Sequence, residues 1–447
     1  MRKIWNCFTV TIVGLTMLAL LAPAIKADST PLVCVVGNDV LLDALELDLN
    51  LYSEDLAREG LRTKIVASNE GNCTDLKALI TNEFSTGLVG CLFIGDLPVA
   101  YFEDRQVHNE TYPCDLYFED LDGTWIDADH NGMFENHTDG ANGNRSPEIW
   151  VGRLKVPVPY GLVLDEVSLL KKYFDRNHAY RTGNLSLPNR ALLYIDDPWS
   201  DQNDTLDSAI SAAFSNRTVV YDKAITNPQD YLNRLTQGWK LVELVAHGGG
   251  ESHAFYVNDT YFGSVTRKDI RAIDPHAFFY TLGSCLCSDF DFFNDYIAGS
   301  YVFCSNYSLA LLGITDSGLL WNLTDFYSGF STERLGRSVI RAFENWITEE
   351  DAGSWYNFAF FYGVTVIGDP TLRLNSTRAS DVLLGDINND RIVDIEDLSM
   401  IAFIFGLTNE DERFDPRCDL NNDQLIDIID LVAAAHNFGR SIPINPP

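Results

Sequence analysis

Apolar runs alternate with amphipathic stretches along most of the chain. The apolar runs have the length of buried strands, and the stretches between them carry the spacing of helices. Strands that alternate with helices predict a parallel sheet covered on both faces. Predicted strands are 32–36, 63–67, 89–94, 148–154, 191–195, 218–221, 241–246, 277–282 and 309–314, with a closing segment at 360–374. Predicted helices are 42–59, one that begins at Thr74 with threonine as its N-cap, 160–177, 205–214, 228–235 and 331–347.

Two stretches interrupt this pattern and predict the domain organisation. Residues 115–147 are rich in Asp, Asn and Gly, which predicts an ordered loop or insertion, and 178–188 reads as a boundary. The fold class expected is therefore α/β, with two parallel-sheet halves and then a small helical module. The boundaries are 28–180 for the first half, 181–378 for the second, 379–440 for the module and 441–447 for a tail.

The N-terminus has the pattern of a secretory signal peptide. Arg2 and Lys3 precede an apolar stretch at 12–24, and Ala27 offers a cleavage point before Asp28. The stretch is short for a membrane span, so cleavage after residue 27 is the better interpretation. We expect a secreted or cell-surface protein with no transmembrane anchor after cleavage.

Charge and surface motifs agree with export. The formal net charge of −32 excludes the electrostatic footprint of nucleic-acid binding. One of the nine cysteines, Cys7, lies in the signal, and some of the others could pair outside the cell. Eleven Asn-x-Ser/Thr sequons predict a glycoprotein. They are Asn72, Asn109, Asn136, Asn144, Asn184, Asn203, Asn216, Asn258, Asn306, Asn322 and Asn375.

Two neighbouring predicted strands end in residues with nucleophilic chemistry. Strand 241–246 is followed by His247-Gly248, and strand 277–282 leads to Cys285. Sites in such sheets form at the carboxyl ends of the strands, so these side chains can meet although 38 positions separate them. A cysteine attacks as thiolate with an imidazole as its base, and the N–H groups of Gly248 and Cys285 could stabilise an oxyanion. His253, His276 and Cys287 lie nearby in the sequence, but we assign them no catalytic role.

Several segments resemble the gingipains and, more distantly, the caspases and legumains. Segment 278–290, FFYTLGSCLCSDF, resembles the gingipain nucleophile segment, and 244–248, LVAHG, resembles its histidine segment. Segments 147–154, PEIWVGRL, and 368–372, GDPTL, resemble the start of the second half and the end of the catalytic domain. Together they cover roughly residues 32–374. Ser284 departs from the family, which usually has Ala there.

The resemblance implies a caspase-like fold and a cysteine endopeptidase that acts through a Cys285–His247 dyad and an acyl-enzyme. It also implies a carboxylate at an earlier strand end that orients the imidazole. Asp197 is the first choice for that role and Asp196 the alternative, since both follow strand 191–195. The alternatives are a catalytically silent binding or scaffold protein with this fold, and a polysaccharide-degrading enzyme, for which no clear carboxylate pair exists.

Gingipains that cut after basic residues place an acid and an aromatic residue in the substrate pocket. Asp204, Asp207 and Trp321 lie in the corresponding regions of this chain. The resemblance therefore implies that these residues bind substrate and that the enzyme prefers Arg or Lys.

The C-terminal module contains two loops of matching register that predict calcium sites. Ligands at positions 1, 3, 5, 9 and 12, with a carbonyl at position 7, suit a hard cation that takes about six to eight oxygens. The first loop offers Asp386, Asn388, Asp390, Ile392, Asp394 and Asp397. The second offers Asp419, Asn421, Asp423, Leu425, Asp427 and Asp430.

The duplicated loops resemble a dockerin, the module that binds cohesin domains. Each loop is followed by an apolar helix, predicted at 398–405 and 431–438, and ends in Asp rather than Glu, as in dockerins. Arg391 and Gln424 stand where Gly is usual. The resemblance implies bound Ca²⁺ and a cohesin-like partner.

A third calcium loop is predicted inside the insertion. Its ligands would be Asp127, Asp129, Asn131, the carbonyl of Met133 and Glu135, with Gly132 at the sharp turn. The alternative is a turn rich in Asp and Asn that binds no metal.

Overall fold

The parts of the chain that can be described carry one large sheet, several small ones and a set of covering helices. The computed structural model describes residues 30–69, 71–105, 108–141, 143–157, 166–320, 323–351, 361–375, 385–388, 392–409, 411, 413–420 and 424–441. The predicted signal peptide lies outside them, as does nearly all of the predicted tail.

The strands are β1 Leu32–Gly37, β2 Arg62–Ala67, β3 Leu88–Ile94, β4 Tyr101–Asp104, β5 Glu110–Pro113, β6 Thr124–Ile126, β7 Asn136–Thr138, β8 Trp150–Leu154, β9 Ala191–Ile195, β10 Arg217–Val220, β11 Trp239–Val245, β12 His247–Gly249, β13 Ser252–Val257, β14 Thr260–Thr266, β15 Ala277–Gly283, β16 Ala310–Ile314 and β17 Val364–Gly368. The helices are α1 Asp39–Ala44, α2 Glu46–Arg58, α3 Cys73–Phe84, α4 Leu116–Glu119, α5 Glu166–Arg181, α6 Asn203–Ser211, α7 Pro228–Leu235, α8 Arg267–Ile273, α9 Ile297–Phe303, α10 Thr324–Phe330, α11 Leu335–Asp351, α12 Ile395–Phe403 and α13 Ile428–His436, with a 3-10 turn at Asp197–Gln202.

Ten strands form a single sheet in the order β10-β9-β11-β15-β16-β17-β8-β3-β1-β2. Its neighbours pair in parallel except β16 and β17. The α/β fold class is confirmed. The two predicted halves are joined edge to edge, because β17 pairs antiparallel with β16 and parallel with β8.

The centre of the sheet is buried on both faces, which explains why its central strands are apolar almost throughout, whereas the edge strands β2 and β10 are largely half-exposed. Every residue of β9, β15 and β16 is buried. Strands covered by helices on both faces need apolar side chains at successive positions. Strand predictions were therefore accurate in the centre of the sheet; β9 matches its predicted bounds at both ends.

The helix predictions were less accurate near their ends. The predicted helix 42–59 is two helices, α1 and α2. The N-cap of α3 is Asn72 rather than Thr74, because the Asn72 side chain accepts the Asp75 N–H at 2.9 Å. Helix α5 runs through the predicted boundary at 178–188 as far as Arg181.

The insertion at 115–147 has secondary structure that was not predicted. It contains α4 and the β6–β7 hairpin. It is also anchored to the large sheet, since Glu119 accepts the Val151 N–H at 2.9 Å and Asp115 accepts from Arg153 at 2.7 Å. Buried polar anchors of this kind fix a segment that has little apolar material of its own.

The C-terminal module repeats one local structure twice. Asp394 caps α12 and Asp427 caps α13, each in a capping box completed by an aspartate three residues later. The two helices begin three residues earlier than predicted. Their apolar faces meet in a separate small core that includes Ile401 and Ala434.

Two further features concern the cysteines and the helices of the described residues. None of the eight cysteines within the described residues forms a disulfide. Across the same residues, no helix is long and apolar enough to cross a membrane.

Candidate active site

The candidate nucleophile and base follow two strands that lie side by side. Strands β11 and β15 pair along their whole length, with Val245 opposite Gly283 at the ends. His247 begins the short strand β12 and Cys285 sits in a turn just after β15. The parallel register therefore brings both segments to the same edge of the sheet, as the sequence predicted.

The turn that carries Cys285 is held in an unusual backbone conformation. Leu286, directly after the cysteine, has a φ of +57°, which an L side chain rarely adopts. Its N–H donates to the backbone carbonyl of Asp316 at 2.7 Å, beyond the end of β16. The strained residue leaves the Cys285 side chain half-buried rather than packed in the core. Strain at such a position is typical of a functional turn.

The surroundings of the Cys285 sulfur shift the pKa of its thiol in opposite directions. Burial raises the pKa of the thiol, and the acidic side chains of Asp316 and Glu110 raise it further. The N–H groups of Cys285 itself and of Gly248 act on the same sulfur and lower the pKa. Two N–H donors therefore act beside the sulfur, near the position where the oxygen of an attacked carbonyl would develop negative charge.

The His247 ring lies between two aromatic side chains. Its centroid is 4.4 Å from that of Trp199 and 4.8 Å from that of Tyr256. The ring is half-buried, and burial lowers its pKa. A raised thiol pKa and a lowered imidazole pKa both favour the uncharged pair at neutral pH. The arrangement can support general-base transfer of the thiol proton to a neutral imidazole.

The two aspartates considered as the orienting carboxylate have different hydrogen-bond partners. Asp197 accepts the Asn258 N–H at 2.5 Å, so its carboxylate holds a turn between β13 and β14. Asp196 is fully buried and accepts the Tyr256 N–H at 2.9 Å, beneath the ring that packs on His247. The choice between Asp197 and Asp196 stays a prediction. Among the described residues, neither aspartate makes a hydrogen bond or ion pair with the His247 ring.

The second oxygen of Asp196 has no partner among the described side chains and backbone groups. Burial raises the pKa of this carboxyl to about 6. A buried carboxyl with a spare oxygen next to the histidine segment is typical of a functional group, because leaving it unpaired costs free energy.

Two of the predicted substrate-binding residues, Asp204 and Asp207, lie within the described residues. Asp207 pairs with Arg217 and accepts from its Nη2 at 2.8 Å, so its carboxylate is already engaged. The expectation that Asp207 binds a basic substrate side chain does not agree with this pairing. Asp204 is exposed in the first turn of α6. Trp321 lies outside the described residues.

One acidic residue beside the nucleophile escaped the sequence analysis. Asp316 is fully buried after β16, and neither carboxylate oxygen has a partner within the described part of the chain. Burial, Glu110 and Asp104 raise its pKa well above the usual range. The signal was available, because Asp316 follows the end of the strand next to β15, where side chains of a site collect.

The insertion loop gathers carboxylates around its turn. Gly132 has a φ of +89°, as the sharp turn requires, and donates its N–H to Asp127 at 2.9 Å. Ligand atoms of Asp129, Glu135 and Glu103 lie within 4.8 Å of one another. Glu103, on β4, was missed because nothing in the sequence links it to the loop.

The remaining predicted ligands of that loop have local partners. The Asn131 side chain accepts the Met133 N–H at 2.8 Å and donates to Glu103 at 3.2 Å. Glu103 also pairs with Arg105 at 2.5 Å, which offsets part of the repulsion among the three carboxylates, and a bound cation would offset the rest. The oxygen donors fit a hard divalent cation.

A second acidic group in the insertion is held by protein donors instead. Asp120, Asp122 and Glu148 also have ligand atoms within 4.8 Å of one another. Asp120 pairs with His137 and accepts the Gly123 N–H at 2.7 Å.

The two loops of the C-terminal module direct their last aspartates inward. Asp397 and Asp430 are fully buried at position 12 of each loop. Asp397 accepts the Ile387 N–H at 2.7 Å, and Asp430 accepts the Leu420 N–H at the same distance. Their oxygens close the loops in the same way. This repetition agrees with the matched register found in the sequence.

The other predicted ligands of these loops are only partly described. Asp386, Asn388, Ile392, Asp394, Asp419, Leu425 and Asp427 lie within the described residues, whereas Asp390, Asn421 and Asp423 lie outside them. The described ligands are oxygen donors. They fit the preference of Ca²⁺ for carboxylate and carbonyl oxygen.

Comparison with known folds agrees with this sheet. The structure of the Arg-specific cysteine proteinase gingipain R (RGPB) superposes with a TM-score of 0.54 and 14% sequence identity, covering 78% of this chain and 79% of that one. The separase–securin complex of Saccharomyces cerevisiae reaches a TM-score of 0.31 at 15% identity over 49% of this chain and 14% of that one, and we draw nothing from it.

Sequence comparison supplies the family. No curated protein matches the chain in sequence. The sequence profile of peptidase family C25 matches residues 61–375, which is more than two thirds of the 447 residues and includes both β11 and β15. The chain belongs to peptidase family C25, the gingipain family, and is a cysteine peptidase.

Proposed function

We propose that the protein is an exported endopeptidase whose nucleophile is Cys285 and whose general base is His247. The observation that carries the proposal is the placement of His247 and Cys285 just beyond the ends of the paired strands β11 and β15. The N–H groups of Gly248 and Cys285 act on the Cys285 sulfur at the same edge of the sheet. Thiol, imidazole and two N–H donors are the parts that acyl transfer to a cysteine requires.

The proposed reaction has two stages. The Cys285 sulfur attacks the peptide carbonyl while His247 takes the thiol proton, and the carbonyl oxygen becomes an oxyanion held by the two N–H groups. The C–N bond then breaks, His247 gives its proton to the departing amine, and the acyl group stays on sulfur as a thioester. Water attacks the thioester with His247 as base, which releases the acid and restores the thiol.

We assign Asp196 a positioning role in this reaction. It holds the backbone of Tyr256, whose ring packs against His247. A carboxylate here supports the histidine through β13 rather than by direct contact. Asp197 acts on the neighbouring turn instead.

Trapping with an affinity label tests the nucleophile and base together. A peptidyl acyloxymethyl ketone forms a thioether with an activated cysteine and loses a carboxylate. Mass spectrometry should map the adduct to Cys285, and His247→Ala should slow its formation strongly. An adduct on Cys287, or equal labelling of both proteins, contradicts the assignment.

A preference for basic residues at P1 is part of the proposal. Asp316 and Glu110 lie near the thiol, and Asp104 lies near Asp316; the similar gingipain R structure is described as Arg-specific. Asp204 remains a candidate for contacting the substrate cation, and Trp321 a candidate for stacking on it. Fluorogenic peptides with Arg, Lys, Gln or Ala at P1 test the preference. Equal turnover of Arg and Ala would rule it out.

Calcium is the proposed ligand of the insertion loop. Asp129, Glu135 and Glu103 would hold it with Asp127 and the Met133 carbonyl, and the cation would relieve repulsion among the carboxylates. Isothermal titration of the full chain with CaCl₂ should lose one binding event in Glu103→Gln. An unchanged number of sites in that variant contradicts the assignment.

The C-terminal module is proposed to bind Ca²⁺ and dock on a cohesin-like domain. Exposed apolar side chains on and beside its two helices, including Phe403, Phe405, Ile429 and Val432, offer a surface for a protein partner. Docking should need calcium, because Asp397 and Asp430 organise both helix starts. Capture of the full chain by an immobilised cohesin domain, with and without chelator, tests this proposal. Binding that persists in chelator contradicts it.

Export and glycosylation complete the proposal. Of the eleven sequon asparagines, Asn322 lies outside the described residues and Asn203 is half-buried; the other nine are exposed. An exposed asparagine can be reached by a glycosylating enzyme, which supports the idea. Expression in a secreting eukaryotic host, followed by glycosidase digestion, should reduce the apparent mass. No mass change would contradict glycosylation.

A further inference from the structure

Ser284 connects the nucleophile segment to the histidine segment. It directly precedes Cys285 and is fully buried. Its hydroxyl donates to the backbone carbonyl of His247 at 3.3 Å and lies 2.8 Å from Nδ1 of His253. His253 reaches this position because β12 and β13 pair with Gly248 opposite His253. The sequence had given His253 no role.

The direction of these hydrogen bonds follows from their chemistry. The His247 carbonyl can only accept, so the single hydroxyl proton of Ser284 is used there. We assign the proton of the 2.8 Å contact to Nδ1 of His253, so that the serine oxygen accepts it. His253 is fully buried and burial lowers its pKa to about 3, so the ring is neutral and Nε2 carries no proton. Nε2 accordingly has no partner among the described residues.

The accepting carbonyl belongs to the same peptide unit as the Gly248 N–H. A peptide unit is planar and trans, so fixing its C=O also fixes the direction of its N–H. That N–H acts on the Cys285 sulfur. A hydrogen bond accepted by the C=O also polarises the amide, which strengthens the N–H as a donor.

Gly248 is required by the closeness of the serine. A Cβ added to Gly248 would lie 2.0 Å from the Ser284 hydroxyl oxygen. Such a contact is well inside van der Waals distance, so the peptide and the hydroxyl are packed directly together. The arrangement therefore leaves the His247–Gly248 peptide little freedom to rotate.

We propose that His253 and Ser284 are positioning residues that lock the His247–Gly248 peptide, so that the Gly248 N–H is preset as an oxyanion donor. The inference rests on the proposed roles of Cys285 and His247. It assigns a function to a buried histidine and to the serine that stands where the family usually has alanine.

Comparing catalysis with simple alkylation tests the proposal. Peptide hydrolysis develops an oxyanion, whereas alkylation of the thiol by iodoacetamide does not. Ser284→Ala should lower kcat about tenfold, the effect of one hydrogen bond, with KM unchanged. The limiting rate of iodoacetamide alkylation, measured at a pH high enough to ionise the thiol fully, should stay within about twofold, because attack by the thiolate on iodoacetamide does not depend on an oxyanion donor.

A peptide aldehyde provides a second readout. The Cys285 sulfur adds to the aldehyde carbon, the carbonyl oxygen takes the charge and then the thiol proton, and a hemithioacetal forms. Ser284→Ala should weaken inhibition by the aldehyde by the same factor as kcat. Affinity for the corresponding peptide alcohol, which forms no such bond, should not change.

Variants at His253 separate the hydrogen bond from packing. His253→Asn keeps a donor near the position of Nδ1 and should retain most of the activity. His253→Phe fills the space without a donor and should lower kcat as much as Ser284→Ala does. In a Ser284→Ala background, His253→Phe should lower kcat little further, because both changes break the same chain of hydrogen bonds. Ser338→Ala is the matched control, since Ser338 is a buried serine that donates to the Arg334 carbonyl at 2.9 Å on α11.

Two results would overturn the inference. One is an unchanged kcat in Ser284→Ala, and the other is an equal fall in hydrolysis and alkylation, which would indicate general disruption. Melting temperatures of all variants identify any loss of folding, and Ser284→Ala alone keeps the test valid if His253→Phe is unstable. If wild type and Cys285→Ala hydrolyse peptides equally, the proposed function itself fails, which is a different outcome.

Discussion

At the scale of single residues, the site combines a thiol that resists ionisation with an imidazole that resists protonation. Burial is the first cause in both cases. Asp316 and Glu110 add to the effect on the thiol, since a negative charge nearby disfavours a second one. The pair is therefore poised as a neutral thiol and a neutral imidazole. The proton has to move as the sulfur attacks.

The pH dependence of Cys285 alkylation should reflect this environment. Because the thiol pKa is raised, the rate with iodoacetamide should keep rising with pH and show a midpoint above the ordinary value of about 8.5. Stopped samples analysed by mass spectrometry measure the rate at each pH. A midpoint below pH 7 would mean a preformed thiolate–imidazolium pair and would contradict the neutral pair.

The two aspartates after β9 should differ in their effect on catalysis. Asp196→Asn removes the charge beneath the histidine segment and should lower kcat about tenfold with little change in KM. Asp197→Asn, the matched control on the next residue, should change kcat less than about threefold, the effect of a weak exposed bond. Steady-state kinetics on one peptide substrate distinguish them. A larger loss in Asp197→Asn would restore the choice made from sequence.

At the scale of elements, the sequence predicted the buried strands well and missed strands that are partly exposed. The central strands are apolar at successive positions because helices cover both faces, and their bounds were nearly correct. Strands β12, β13 and β14 were missed because they are half-exposed, polar and begin with a run of glycines. Their pairing depends on tertiary contacts, and they carry the residues that surround His247. The site was therefore predicted as two strand ends without the small sheet that supports them.

The second C-terminal loop stores backbone strain at Gln424. This residue has a φ of +69° at the position where calcium loops usually have Gly. Gln424→Gly should stabilise the loop by about 1 kcal/mol, the cost of the left-handed conformation for an L side chain. The Ile426 N–H, which donates to the Leu407 carbonyl at 2.9 Å, should then exchange with solvent about fivefold more slowly, by the same free energy.

Hydrogen exchange of the full chain followed by mass spectrometry measures this change. Gln424→Ala is the control, because it removes the side chain and keeps the strained conformation. It should not slow the exchange. Faster exchange in Gln424→Gly than in wild type would show that the Gln424 side chain matters more than its backbone.

At the scale of the whole molecule, a buried polar cluster joins the two halves. Asp369, in the Gly-Asp-Pro segment after β17, accepts from Arg181 at 2.7 Å, Asn177 at 2.8 Å and Tyr52 at 3.0 Å. Arg181 and Asn177 lie on α5, and Tyr52 lies on α2. The motif recognised from sequence as the end of the catalytic domain is therefore a structural junction. The sequence could identify the motif but not its partners, which lie up to 317 positions away.

Asp369→Asn should destabilise the fold strongly. It removes one of the two carboxylate partners of the buried Arg181, which also pairs with Glu59, so we expect a cost of about 3 kcal/mol, the lower end of the range for removing one partner of a buried pair. The pKa of Asp369 is lowered in the folded protein, so its contribution is present above the unfolded value of about 3.9 and is lost as pH falls below it. Denaturant unfolding monitored by tryptophan fluorescence measures the loss.

Glu54→Gln provides the comparison for that prediction. Glu54 pairs with Arg58 on the exposed surface of α2, at 3.3 Å. Removing a surface pair should change the free energy of unfolding by less than about 1 kcal/mol. Similar losses in Asp369→Asn and Glu54→Gln would show that the cluster does not hold the halves together.

The most direct test of the account is hydrolysis of casein by the full chain, in the presence of CaCl₂ and a reductant, for wild type and Cys285→Ala. If Cys285 is the nucleophile, the wild type should release peptides and Cys285→Ala should release no more than the buffer control. Both proteins should have the same melting temperature. Equal release by the two proteins would contradict Cys285 as the nucleophile, and no release by a folded, reduced wild type on casein or on a peptide pool would point to a catalytically silent member of the family.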